Sequence, residues 1–209
     1  MTYRFATGGQ QTSYREYHAN QPSKDVDTEV NLYSTDFGVR LNLLGSFLVA
    51  DAKIEYSGPV ISANTSDTVT FLNYEGRLLL NVKANPLALT FTAEYFSDGM
   101  TASDSTFGYQ TMTGARFAVI AYSPMPILGF DLSFYYPFWV QIAGRTEYGA
   151  TLTWRPSRGG EEGVSRLPNE HKGFFIEFGY YQKNILFEEL VRPIKIRTIT
   201  SSVKMGVTF

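Results

Sequence analysis

Ser46-Phe47-Leu48-Val49-Ala50-Asp51-Ala52-Lys53-Ile54-Glu55-Tyr56 divides by parity. The even positions are Ser46, Leu48, Ala50, Ala52, Ile54 and Tyr56, while the odd ones include Asp51, Lys53 and Glu55. Successive side chains of a β-strand point to opposite faces, so this stretch reads as a strand with one greasy and one ionic side. Residues 70–82 split the same way, with Leu72, Tyr74, Leu78, Leu80 and Val82 against Glu75, Arg77 and Lys83 just beyond. So do residues 142–154, with Tyr148, Leu152 and Trp154 against Arg145 and Glu147. From about residue 30 onward the apolar parity collects about 50 positions. A chain that is 18% charged would place roughly nine ionised groups there by chance, and none falls on them.

Alternation alone does not say which face meets solvent, because a soluble sandwich or a lipocalin-like barrel hides its apolar side within. The aromatic load decides the reading. Sixteen Phe and fourteen Tyr in 209 residues are many for one small interior. Many of these rings fall at strand ends, where a lipid-facing barrel sets its interfacial girdles. Tyr122, Trp154 and Phe209 mark one edge of the apolar band, and Tyr33, Tyr56, Tyr95, Tyr136 and Tyr180 the other. The chain holds no apolar run long enough for a transmembrane helix, which leaves a closed barrel as the one way to span lipid with every backbone group paired. The expectation is an all-β, closed antiparallel up-and-down transmembrane barrel of about ten strands, with eight or twelve as alternatives, and residues 1–209 as one domain.

Composition narrows the function classes. A net charge of −2 and a pI near 5.7 leave no basic footprint for nucleic acid. The absence of cysteine excludes disulfides and thiol metal sites. No metal-ligand spacing, phosphate loop or dinucleotide fingerprint occurs, so neither a metal nor another cofactor is expected. Short breaks at 44–46, 84–86 and 123–129 alternate with longer polar ones at 57–68, 97–106 and 182–197 and a short one at 137–141, and the break at 156–173 is long on the short side. The first strand starts at Tyr3 and Phe5 and dissolves into Gly8, Gly9, Gln10 and Gln11. Glycines recur about once per strand, at Gly38, Gly76, Gly114, Gly149, Gly179 and Gly206, as expected of a sheet that curls on itself.

The last residues bring a family resemblance. Val203, Met205, Val207 and the terminal Phe209 alternate with Lys204, Gly206 and Thr208. This resembles the C-terminal signal of bacterial outer-membrane β-barrel proteins, which the outer-membrane insertion machinery reads, and the whole pattern is similar to the small OmpA-like class. The resemblance implies the bacterial outer membrane as location, its lipid and the insertion machinery as partners, short periplasmic turns with longer extracellular loops, and an export signal removed ahead of Met1.

Taking the charged parity as inward gives the lumen candidates. The acids are Asp36, Asp51, Glu55, Glu75, Glu94, Asp131, Glu147 and Glu177, and the bases are Arg40, Lys53, Arg77, Arg116, Arg145 and Lys204. A barrel of eight to ten strands is barely wider than its own side chains, and isolated buried ions are costly, so these groups should pair into a salt-bridge network that plugs the lumen. The ordinary reading of such a network is a filled barrel core; the functional one is a charge-selective channel. Phe138, Trp139, Phe187 and Leu190 are apolar groups in outer breaks and stand as candidate contacts for a surface partner. The charged break at 156–173 is the corresponding candidate for a periplasmic partner. An enzymatic reading has only His18 to build on, with Asp25 and Asp27 near it, Ser13 as nucleophile and His171 on the wrong side. The omptin proteases resemble the chain in strand number, but their barrels extend far above the membrane and this chain is too short to do the same. The leading expectation is a non-catalytic structural or surface-interaction barrel, with a narrow channel for small solutes or ions next and a His18 hydrolase third.

Overall fold

The computed structural model describes residues 1–18, 22, 25–45, 47–59, 69–84, 87–102, 109–123, 128–140, 144–155, 173–187 and 194–209. Ten strands account for nearly all of them: β1 Thr2–His18, β2 Val26–Leu44, β3 Leu48–Pro59, β4 Val69–Ala84 and β5 Leu87–Ala102, then β6 Tyr109–Ser123, β7 Leu128–Val140, β8 Gly144–Trp154, β9 Gly173–Phe187 and β10 Ile194–Thr208. Each pairs antiparallel with its neighbours in sequence, and β1 pairs with β10 from Arg4 opposite Thr208 to His18 opposite Ile194. Two more backbone bonds, Tyr3 N–H to Phe209 O at 2.8 Å and Phe209 N–H to Tyr3 O at 2.9 Å, seal the seam at the end that carries both termini. The sheet is a closed barrel, so no strand has a free edge.

The two faces are distributed as a lipid-exposed barrel requires. Arg116 and Phe117 are consecutive, yet Arg116 is 2% exposed and Phe117 53%. Phe5, Phe37, Leu78, Phe91, Phe134, Phe178 and Met205 share the outer face, while Asp36, Glu94, Glu147 and Lys204 are buried inside. A lipocalin-like arrangement, rings within and ions without, is therefore ruled out. On β4 the outward apolar run reaches from Leu72 to Val82. At ~3.3 Å per residue and a tilt of ~40° it is roughly 25 Å tall, the height of an outer-membrane apolar band. Trp154 and Phe209 lie exposed at its lower edge, with Tyr33, Tyr56, Tyr95 and Tyr180 exposed toward the upper one. Tyr74 and Tyr148 join the outer rings, and the side chains of Tyr122 and Tyr136 lie outside the described residues.

Three expectations about extent are corrected. β1 does not dissolve at Gly8 to Gln11: it is laddered to β2 on one side and β10 on the other throughout, and inward Thr12, Tyr14 and Glu16 are buried beyond. Two full hydrogen-bond ladders hold a strand whose side chains contribute little. The breaks at 97–106 and 137–141 are partly strand, because β5 runs to Ala102 and β7 to Val140. Pro137 cannot donate to the ladder, and the register shifts beside it, between Ala115 and Arg116 of β6. Phe138 and Trp139 therefore belong to a strand and not to a loop tip. Finally, the barrel does rise above its apolar band. Beyond Tyr33 the outer face of β1 and β2 turns polar, with Gln11 Nε2–H donating to Glu29 Oε1 at 2.9 Å and Arg15 paired with Asp27 at 3.1 Å. Strands of 17 and 19 residues exceed the ~10 that a tilted span needs.

Glycine is required where the chain reverses between β2 and β3. Gly45 has φ +56°, and the turn closes with Phe47 N–H donating to Leu44 O at 3.1 Å. A Cβ on inward Gly149 would strike the Tyr181 ring, which lies against that backbone in the lumen.

Candidate functional site

Register places opposite charges face to face on the inner wall. Arg40 is directly across from Asp51, Asp51 from Arg77, Arg77 from Glu94, and Glu94 from Arg116. Glu177 sits across from Lys204. Cross-strand pairs of opposite sign are mutually stabilising, and in a lumen this narrow they continue into one another. The result, among the described residues, is an ionic belt to which nine strands contribute a charged side chain: Arg4, Asp36, Arg40, Asp51, Lys53, Glu55, Glu75, Arg77, Glu94, Arg116, Glu147, Glu177 and Lys204. The remaining strand, β7, supplies Tyr135, whose ring lies 4.2 Å from the Arg116 guanidinium carbon.

The belt comprises three clusters with different charge ratios. In the first cluster, three cations meet three carboxylates. Arg4 reaches Glu177 at 3.0 Å and Asp36 at 3.4 Å, Lys204 reaches Asp36 at 3.0 Å and Glu55 at 2.5 Å, and Lys53 reaches Glu55 at 2.8 Å. Ser34 adds a hydroxyl to Glu55 at 3.0 Å, and Phe175 backs Arg4 at 4.8 Å. In the second cluster a single carboxylate serves two guanidiniums, Asp51 bonding Arg40 at 2.5 Å and Arg77 at 3.0 Å. In the third cluster a single guanidinium serves three carboxylates, since Arg116 bonds Glu94, Glu147 and, at 3.2 Å, Glu75. Phe96, 4.9 Å away, and Tyr135 sandwich that guanidinium, so its fork of donors is held in place.

Below the belt, toward the termini, the lumen opens into a cavity of about 180 Å³, with Thr2, Arg155 and Thr208 among its rim residues and Asp51, Arg77 and Tyr135 among those lining it. Above the belt, toward the loops, Tyr14 O–H donates to Glu16 Oε2 at 2.9 Å, and His18 Nε2 lies 2.6 Å from Glu16 Oε1. His18 also donates its backbone N–H to Asp25 Oδ1 at 2.8 Å. Ser13 is on the opposite, outer face of β1 and Asp27 is paired with Arg15 outside, so the Ser13 nucleophile offered under the third reading is not brought to His18. Among the described residues no group of three or more His, Asp or Glu is arranged to hold a metal ion.

Asp131 and Arg145 belong to β7 and β8, and their side chains lie outside the described residues, as do the side chains of Phe138, Trp139 and Phe187. Leu190, His171 and the long 156–172 stretch fall outside them altogether. Val203, Met205, Val207 and Phe209 all face outward and are exposed. Arg4, Glu16, Asp98 and Lys183 are inner charges beyond those read from sequence; Lys183 pairs with Asp98 at 3.2 Å. Parity is the signal that could have found Arg4, but it is hidden where the glycines and glutamines of β1 blur the alternation.

Comparison with known proteins agrees with this architecture. The outer membrane protease OmpT from Escherichia coli superposes with a TM-score of 0.54 at 10% identity, over 100% of this chain and 96% of that one. Neisserial surface protein A gives 0.41 at 8% identity over 98% and 97%. The attachment invasion locus protein Ail of Yersinia pestis gives 0.37 at 10% identity over 100% and 98%. No protein-family model matches the chain, and no curated protein matches it by sequence. The fold is that of the small bacterial outer-membrane β-barrels.

Proposed function

We propose that this chain is a non-catalytic barrel of the bacterial outer membrane whose lumen is closed by the ionic belt, serving as a structural or surface-interaction protein. The observation that carries the reading is the belt itself, because side chains from every strand meet across the bore. The termini end is then periplasmic, and the polar wall of β1 and β2 above the girdle stands outside the cell. Val203, Met205, Val207 and Phe209 face lipid and are the segment offered to the insertion machinery. The non-catalytic role is supported by the placement of Ser13 and His18 on opposite faces of β1. Surface interaction is assigned to the outer rim formed by the long hairpins, where a protein partner would meet Arg15, Glu29 and their neighbours. The test is single-channel recording of the purified protein in planar bilayers. Silence at all applied voltages is expected, and discrete conductance steps would replace this reading with that of a narrow solute or ion channel.

A further inference from the structure

We propose that the cavity beneath the ionic belt is a binding site for a small oxyanion, a phosphate, sulfate or carboxylate group carried by a free solute that enters from the termini end. Among the described residues its lining brings together Arg4, Arg40, Lys53, Arg77 and Arg155 against Asp51 and Glu177. Asp51 is shared between Arg40 and Arg77, and Arg77 also has Glu94 directly across from it, so Arg40 is the guanidinium of this pair with the least anionic cover beside the cavity. Arg40 Nε is buried with no hydrogen-bond acceptor among the described residues. Thr151 and Thr153 add hydroxyls to the wall, while those of Thr90 and Ser133 already donate to Asn81 Oδ1 and Gly149 O. A volume of about 180 Å³ holds one such group with some of its hydration and excludes a lipid. The proposal rests on the closed-belt reading only for its one-sided access, and binding is measured independently of conductance.

The experiment is calorimetric titration of inorganic phosphate into the folded, detergent-solubilised protein at fixed ionic strength, with heat-modifiable gel mobility as the check on folding. Saturable binding near one site per barrel is expected. R40Q should weaken it by roughly tenfold, the worth of one charge-assisted bond. T153D, which puts a carboxylate into the same cavity directly across from Glu177 and within the field of Arg4, should abolish it. Non-saturating heats, or saturable binding that survives both substitutions, would overturn the proposal. Binding seen only when phosphorylated lipid replaces free phosphate would overturn it too. Conductance steps together with R40Q-sensitive binding would remove the plug and leave the site standing.

Discussion

The clusters around Arg116 and around Asp51 are built from the same residue types on adjoining strands, yet they invert each other. One guanidinium holds three carboxylates in the first; one carboxylate holds two guanidiniums in the second. Arg116 is sealed between Phe96 and Tyr135, whereas Asp51 borders the open cavity. Near-balance of charge along the sequence thus conceals a polarised lumen, acidic on the β4–β8 wall and basic toward the termini. In each cluster the minority ion is the one the others depend on. Removing it leaves like charges buried together, whereas removing a majority ion relieves repulsion.

The largest effect should follow from breaking the sealed cluster at its centre. Arg116→Met takes their shared guanidinium from three glutamates in the lumen and should lower unfolding stability by about 3 kcal/mol, read as a shift in the urea midpoint of protein refolded into vesicles. Arg116→Lys keeps the charge but not the planar fork, and should fall between. Equal stability of the Met variant and the parent would show that the belt is ornament to the barrel. Next comes Asp51→Asn, which leaves Arg40 and Arg77 facing each other. The cavity lets water and solute anions screen them, so the loss should be smaller, about 1–3 kcal/mol in the same assay. Unlike Arg116→Met it should be partly recovered by added phosphate, because the freed guanidiniums then take an external partner. A Met variant rescued as well as the Asn variant would erase the distinction between sealed and open clusters.

How far the sequence alone reveals this arrangement depends on what each feature is made of. The faces of Ser46 to Tyr56 are a property of one strand, and parity alone assigns Asp51, Lys53 and Glu55 to the lumen. A count of about ten strands, with eight or twelve left open, follows from turns, which are equally local. Cluster ratios are not local. Glu147 reaches Arg116 across the ring of Tyr135 from a strand two places away, and Lys204 finds Glu55 only because β10 closes on β1. Such meetings depend on closure and stagger, which no single strand encodes. Arg4 is hidden for a different reason, since Gly8 to Gln11 carry too little hydrophobic contrast to extend the parity of β1. The Ser13–His18 pairing fails by the rule that succeeds elsewhere: an odd and an even residue of one strand face opposite ways.

The finest test of the comparison is the substitution expected to do least. Glu75 is the most exposed of the three Arg116 carboxylates, at 18%, and makes the longest of the three contacts. Glu75→Gln removes one member of the acidic majority while retaining a group that can still accept from Arg116. Stability should change by no more than about 1 kcal/mol, because the repulsion relieved among three carboxylates around one guanidinium is offset by the attraction lost to Lys53 directly across from Glu75. The same Glu→Gln change at Glu55, where cations and carboxylates are matched and two lysines converge, should instead be destabilising. If both substitutions cost alike, the ratio of charges within each cluster of the belt is immaterial and only the number of ion pairs counts. If Glu75→Gln alone is neutral or better, the acidic excess on that wall is retained for something other than stability.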